Sequence, residues 1–141
     1  MAEALKLDGK CMCGAVRFSA TARKPSVVAC HCNMCRRWSA GPFMSVSCND
    51  VAFESAETIG RIRSSDWAER GFCTKCGSNL FYHIVAANDC QMAAGLFDDQ
   101  SKLRMSLQLF TDFKPELYDF ANETKMMTAA EAIELFSSQS D

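Results

Sequence analysis

Val16, Phe18 and Ala20 alternate with Arg17, Ser19 and Thr21, the two-residue period of a strand with one face buried and the other in water. The same period returns where Met44, Val46 and Cys48 alternate with Ser45 and Ser47, ahead of Asn49-Asp50, which reads as a turn. It returns again where Leu103, Met105, Leu107 and Leu109 alternate with Arg104, Ser106 and Gln108. Residues 80–85 and 92–97 are nearly continuous in apolar side chains and predict strands buried on both faces. From about Thr128 the period changes. Thr128 followed by Glu131 fits a capping box, and Ala129, Ile133 and Phe136 fall on one helical face, so a helix over about 128–139 is expected to pack on the sheet. Residues 60–71 show no period and mix Arg61, Arg63, Asp66, Trp67, Glu69 and Arg70; this stretch reads as a loop, its tryptophan packed on the core or closing over a site as a lid. The pattern predicts an all-β core over about 10–120 with a helical C-terminal appendage.

Composition narrows this picture. A chain of 141 residues with 48% hydrophobic and 23% charged side chains suits one domain spanning residues 1–141. Its longest apolar runs are a few residues, far below the roughly 20 that span a bilayer, and the opening MAEALKLDGK lacks the apolar core of a signal peptide. A cytoplasmic protein with no membrane association is expected. Formal net charge is -2, with 15 basic and 17 acidic residues interspersed; without a basic stripe, nucleic acid is not an expected partner.

Nine cysteines change the picture most. The count is odd, and a reducing compartment favours free thiols over a disulfide framework. Seven of the nine fall in C-x-C, C-x-C-x-x-C and C-x-x-C clusters, a spacing in which one ion can grip several thiolates of a tight turn. Cys11/Cys13 and Cys73/Cys76 supply two knuckles for a tetrahedral structural zinc, each followed by a glycine, Gly14 and Gly77, that permits the turn. This pairing joins positions some 60 residues apart and staples the fold. Cys30, Cys32 and Cys35 offer three thiolates to a second zinc. That trio leaves one coordination position for water or a substrate, the mark of a catalytic rather than a structural ion, unless His31, Cys48, Cys90 or His83 fills it. Adjacent side chains in a C-x-C turn point apart, which argues against His31. Cys48 and Cys90 are otherwise small core residues and His83 a satisfied histidine. Arg36 and Arg37, directly after Cys35, offset thiolate charge, or hold a carboxylate of a bound ligand, or are ordinary surface arginines.

The ordered set KCMCGAVRF, CHCNMCRRWSAG and RGFCTKCGSNLFY, followed by GLFDD, resembles the glutathione-dependent formaldehyde-activating family, which includes centromere protein V. The resemblance runs from about Lys10 to Phe120. It implies a β-tent, small antiparallel sheets pinned by zinc, with Cys11, Cys13, Cys73 and Cys76 on the structural ion and Cys30, Cys32 and Cys35 on a second, exchangeable one. The activity it implies is that of S-hydroxymethylglutathione synthase, a carbon-sulfur lyase in the reverse direction, joining formaldehyde to the glutathione thiol. Two classes of function follow: an enzyme adding a thiol to a small aldehyde, or a non-catalytic zinc module that carries a thiol or binds a protein partner. The chain departs from the family at Gln108, where many members carry a histidine.

Overall fold

The computed structural model describes residues 4–139, with side chains to residue 135. In chain order its elements are β1 (Leu5–Lys10), β2 (Arg17–Ala22), β3 (Ser26–Cys30), α1 (Asn33–Ser39), β4 (Phe43–Phe53), β5 (Ile59–Arg63), β6 (Ala68–Cys73), β7 (Asn79–Ile84), β8 (Asp89–Ala93), β9 (Arg104–Leu109), β10 (Lys125–Met127) and α2 (Ala129–Gln139). It is an all-β protein with a C-terminal helix, as the alternation predicts. Among the described residues no helix is long and apolar enough to cross a membrane. The chain divides into two compact units, residues 1–25 with 45–103, and residues 26–44 with 104–141.

In the first unit the strands run in the order β1-β2-β4-β8-β7-β6-β5, every pairing antiparallel. Val16, Phe18 and Ala20 are buried while Arg17 and Ser19 face solvent, so the period-two pattern does its expected work. Phe18 and Phe53 lie 5.9 Å apart between ring centroids, and Phe53 and Phe81 5.8 Å. These rings form a connected aromatic cluster.

Three expectations are corrected here. The Asn49-Asp50 turn is absent: β4 continues to Phe53, absorbing one residue as a bulge between Asn49 and Ala52, with Asp50 at φ 51°. Residues 60–71 form a hairpin rather than a loop. β5 is an edge strand with little buried side-chain surface, and β6 buries Arg70 with its guanidinium 5.2 Å from the Tyr82 ring; a strand exposed on both faces and a buried charge each erase the apolar period. Trp67 stands at the hairpin turn, about half exposed at 49%. The strand expected over residues 92–97 begins earlier, at Asp89, and gives way to a 3-10 turn at Ala94–Leu96.

The second unit contains a small parallel sheet in the order β10-β9-β3, together with α1 and α2. At α2 the capping box is formed: the Glu131 N–H donates to Thr128 Oγ1 at 3.3 Å and the Thr128 N–H to Glu131 Oε1 at 3.0 Å. Ala132 is buried and Ile133 is 57% exposed, so Ile133 does not share a buried face with the core; the Phe136 side chain lies outside the described residues. Along β9 the alternation also fails at one point. Gln108, on its polar phase, is 1% exposed, because it bonds the side chain of His31.

Candidate metal centres

Two groups of cysteine sulfurs converge, each with all its sulfurs within 4.8 Å of one another: Cys11, Cys13, Cys73 and Cys76 in the first unit, and Cys30, Cys32 and Cys35 in the second. These are the seven clustered cysteines of the sequence, partitioned as the spacing proposed.

The four-cysteine group is built from two matching knuckles. Cys11 N–H donates to the Val16 carbonyl at 3.0 Å and Cys73 N–H to the Ser78 carbonyl at 2.9 Å, closing the same six-residue loop in each. Gly14 and Gly77 turn the chain inside these loops at φ 82° and 79°, a conformation that costs an L-residue roughly 1–2 kcal/mol. N–H groups then point at sulfur: Val16 N–H to Cys11 Sγ at 3.3 Å and Cys76 N–H to Cys73 Sγ at 3.5 Å. Ser78 ties the knuckles together, its hydroxyl bonding Cys76 Sγ at 3.1 Å while accepting the Met12 N–H at 3.1 Å. The Ser78 hydroxyl and N–H hold Cys76 down at about 5.

The four sulfurs are spaced as zinc requires. A tetrahedron of Zn–S bonds of about 2.3 Å separates its sulfurs by about 3.8 Å; Cys11 and Cys13 are 3.6 Å apart, Cys13 and Cys73 3.8 Å.

The three-cysteine group sits where β3 runs into α1. Cys30 ends the strand, and Cys32 caps the helix, accepting the Cys35 N–H on its sulfur at 3.3 Å. S–H donation from Cys30 and Cys35 holds Cys32 down at about 2, while Cys32, Cys35 and burial drive Cys30 far above the ordinary thiol range. Sulfurs this close cannot all be anionic without a cation among them, which is the chemistry a thiolate-bound ion supplies. Among the described residues no fourth His, Cys, Asp or Glu ligand atom joins the three.

His31 points away from the sulfurs. Its Nδ1 lies 2.6 Å from the Tyr118 hydroxyl and its Nε2 2.8 Å from Gln108 Oε1, so both nitrogens are engaged. Burial lowers its pKa. His83 bonds Asn88 at 3.2 Å and lies 3.8 Å from Glu69. Cys48 and Cys90 are directly opposed across β4 and β8, and burial pushes both thiols to about 12; neither joins a cluster. Arg36 and Arg37 occupy the last turn of α1, Arg36 half-buried and Arg37 exposed. The sequence reading missed Tyr118 and Thr124 entirely. They sit in a stretch without period, and only their contacts with His31 and Gln108 reveal them.

Residues 6–113 match the family model described as "Glutathione-dependent formaldehyde-activating enzyme". A Schizosaccharomyces pombe protein named as an uncharacterized lyase is 37% identical over 128 residues, covering 89% of this chain and 93% of its own. A crystal structure of a Rhodobacter sphaeroides protein shares the fold at a TM-score of 0.58 and 19% identity, over 65% of this chain and 88% of that one.

Proposed function

The chain belongs to the glutathione-dependent formaldehyde-activating family, and on that premise we propose that it is a zinc-dependent carbon-sulfur lyase of the S-hydroxymethylglutathione synthase type. It joins a thiol such as glutathione to formaldehyde or a similar small aldehyde at Cys30, Cys32 and Cys35. One zinc is structural, held by Cys11, Cys13, Cys73 and Cys76; the second is held by the trio. The family is formaldehyde-activating by description and its yeast relative carries the name of a lyase. The substrates, the zinc and the residue roles are this reading's own step.

The observation that carries it is the trio itself, three converging sulfurs with the neighbouring imidazole committed elsewhere. A zinc held by Cys30, Cys32 and Cys35 would supply Lewis acidity that lowers the pKa of an incoming thiol. The chain's own groups do the rest. Cys32, capping α1 and taking the Cys35 N–H, keeps its sulfur in the anionic form a metal ligand needs. Arg36 and Arg37 lie one helical turn from that sulfur and offer guanidinium forks to the carboxylates of a tripeptide thiol. In the net reaction one C–S bond forms, and the thiol proton ends on the former carbonyl oxygen. Free thiols in such number suit the reducing cytoplasm.

The test is adduct formation. The zinc-loaded chain should accelerate formation of the glutathione–formaldehyde adduct above its spontaneous rate, and Cys32→Ser should abolish the acceleration while the four-cysteine ion stays bound. A loaded wild-type chain giving only the spontaneous rate would remove glutathione and formaldehyde from the account and leave a thiol-carrying or protein-binding module.

A further inference from the structure

His31 is the middle residue of the Cys30-His31-Cys32 turn and is completely buried. An apolar side chain could fill that space without the cost of burying an imidazole, which is large unless both nitrogens are satisfied. Here they are, and by partners from different segments of the second unit: Gln108 on β9 at 2.8 Å and Tyr118 at 2.6 Å. Gln108 is itself anchored, its Nε2 donating to Thr124 Oγ1 at 2.9 Å. That leaves its Oε1 facing His31, and an amide oxygen only accepts. The hydrogen therefore sits on His31 Nε2, and Nδ1 accepts from the Tyr118 hydroxyl. The His31 N–H adds a third hold, to the Leu109 carbonyl at 3.0 Å, and the Tyr118 and Phe120 rings flank the imidazole at 5.6 and 6.0 Å between centroids.

In an extended turn successive side chains project to opposite sides. Fixing the middle side chain therefore fixes the direction of its two neighbours, which are two of the three sulfurs. We propose that Gln108, His31 and Tyr118 are positioning residues that preorganise Cys30 and Cys32 for the second ion, with Thr124 anchoring the Gln108 amide. This rests on the reading of the trio as a metal site. Polar partners that orient metal ligands typically change metal affinity by 10–100-fold when removed.

The test is chelator competition on the full chain loaded with cobalt(II), whose thiolate charge-transfer absorption reports each site. Gln108→Leu and Tyr118→Phe should release the trio's ion about 10–100-fold more readily, with the four-cysteine ion's midpoint and spectrum unchanged. Gln108→Glu, whose oxygen still accepts from His31 Nε2, should restore tight binding. A merely structural role would loosen both ions or neither and would show no such rescue. If Gln108→Leu does not fold, Tyr118→Phe, which deletes a single oxygen, carries the test. Variants that keep near-ultraviolet circular dichroism and the four-cysteine ion, yet hold the second ion as tightly as wild type, would overturn the positioning role. A wild-type chain taking up one equivalent under any loading overturns the metal reading instead, and is recognised before any variant is made.

Discussion

Cys73→Ser removes a fully buried sulfur that lies 3.8 Å from Cys13, 60 positions away in the chain. A cross-link between residues that far apart restricts the unfolded chain by about 4 kcal/mol in the loop-entropy description of staples. The trio closes only the six residues from Cys30 to Cys35, for which the same relation gives about 2 kcal/mol. Net domain stability is about 5–15 kcal/mol, so losing the long staple removes a large share of it, and the full binding energy of a structural zinc, of order 10 kcal/mol, is the ceiling. For a chain of this size a loss of 1 kcal/mol lowers Tm by about 2–4 °C. Calorimetry on the zinc-loaded protein should therefore show Cys73→Ser melting about 10–15 °C below wild type and Cys35→Ser only about 5–8 °C below. Chelation of wild type, which strips both ions, should lower Tm by more than either variant does. Equal losses in the two variants, or a chelated wild type that melts where the loaded one does, would refute the assignment of the four-cysteine cluster as the staple.

Thr128→Ala should cost about 1 kcal/mol through loss of the helix cap, seen as faster amide exchange across Ala129–Gln139; unchanged exchange would show that the cap is not what starts the helix. The Thr128 N–H, then its hydroxyl, lowers the Glu131 pKa. The folded value lies below the unfolded one, so this stabilisation is complete above the unfolded pKa and fades as pH falls through the folded one; Glu131→Gln should flatten that acid limb of the stability curve. Gly71→Ala places a methyl group against the buried Phe81 ring and should destabilise by about 1–3 kcal/mol as overpacking, read as a lower denaturation midpoint; a neutral effect would mean that the ring moves freely. A single domain spanning residues 1–141 should melt in one transition with matching calorimetric and van't Hoff enthalpies, and two resolved transitions would overturn that expectation.

Whatever depends on local period or local spacing could be read from the chain: the strand about Phe18, the buried β7, the capping box at Thr128, and above all the cysteine clusters. A C-x-C or C-x-x-C turn places its sulfurs within reach of one ion by covalent geometry alone, so convergence inside each cluster needs no tertiary knowledge. The joining of Cys11/Cys13 to Cys73/Cys76 followed from counting: two pairs and a trio divide into four and three. The hairpin of β5 and β6 was hidden because an edge strand wet on both faces has no hydrophobic signature, and because Arg70 is buried against Tyr82. The parallel pairing of β3 with β9 joins segments about 80 residues apart, and neither strand carries a mark of its partner.

Gln108 shows most sharply where local reading stops. On β9 it falls in the polar phase of a clean alternation, and alternation assigns polar side chains to water. That rule prices burial as though every polar group were alone. A glutamine that accepts from one imidazole and donates to one hydroxyl has a partner on each of its polar atoms, and much of the cost that keeps polar side chains outside disappears. His31 is the complementary case. The C-x-C turn argues against it as a ligand but does not say where its nitrogens go, and they are taken by Gln108 and Tyr118, 77 and 87 positions away. Each residue is legible only through the other. A substitution that ignores this reciprocity, such as His31→Phe, leaves Gln108 buried with an unpaired carbonyl oxygen, a loss of about 1–3 kcal/mol. Pairing it with Gln108→Leu removes both polar partners together. The double variant should therefore recover stability relative to His31→Phe while recovering none of the second ion's affinity, which separates the energetic role of the network from its role in aiming the sulfurs.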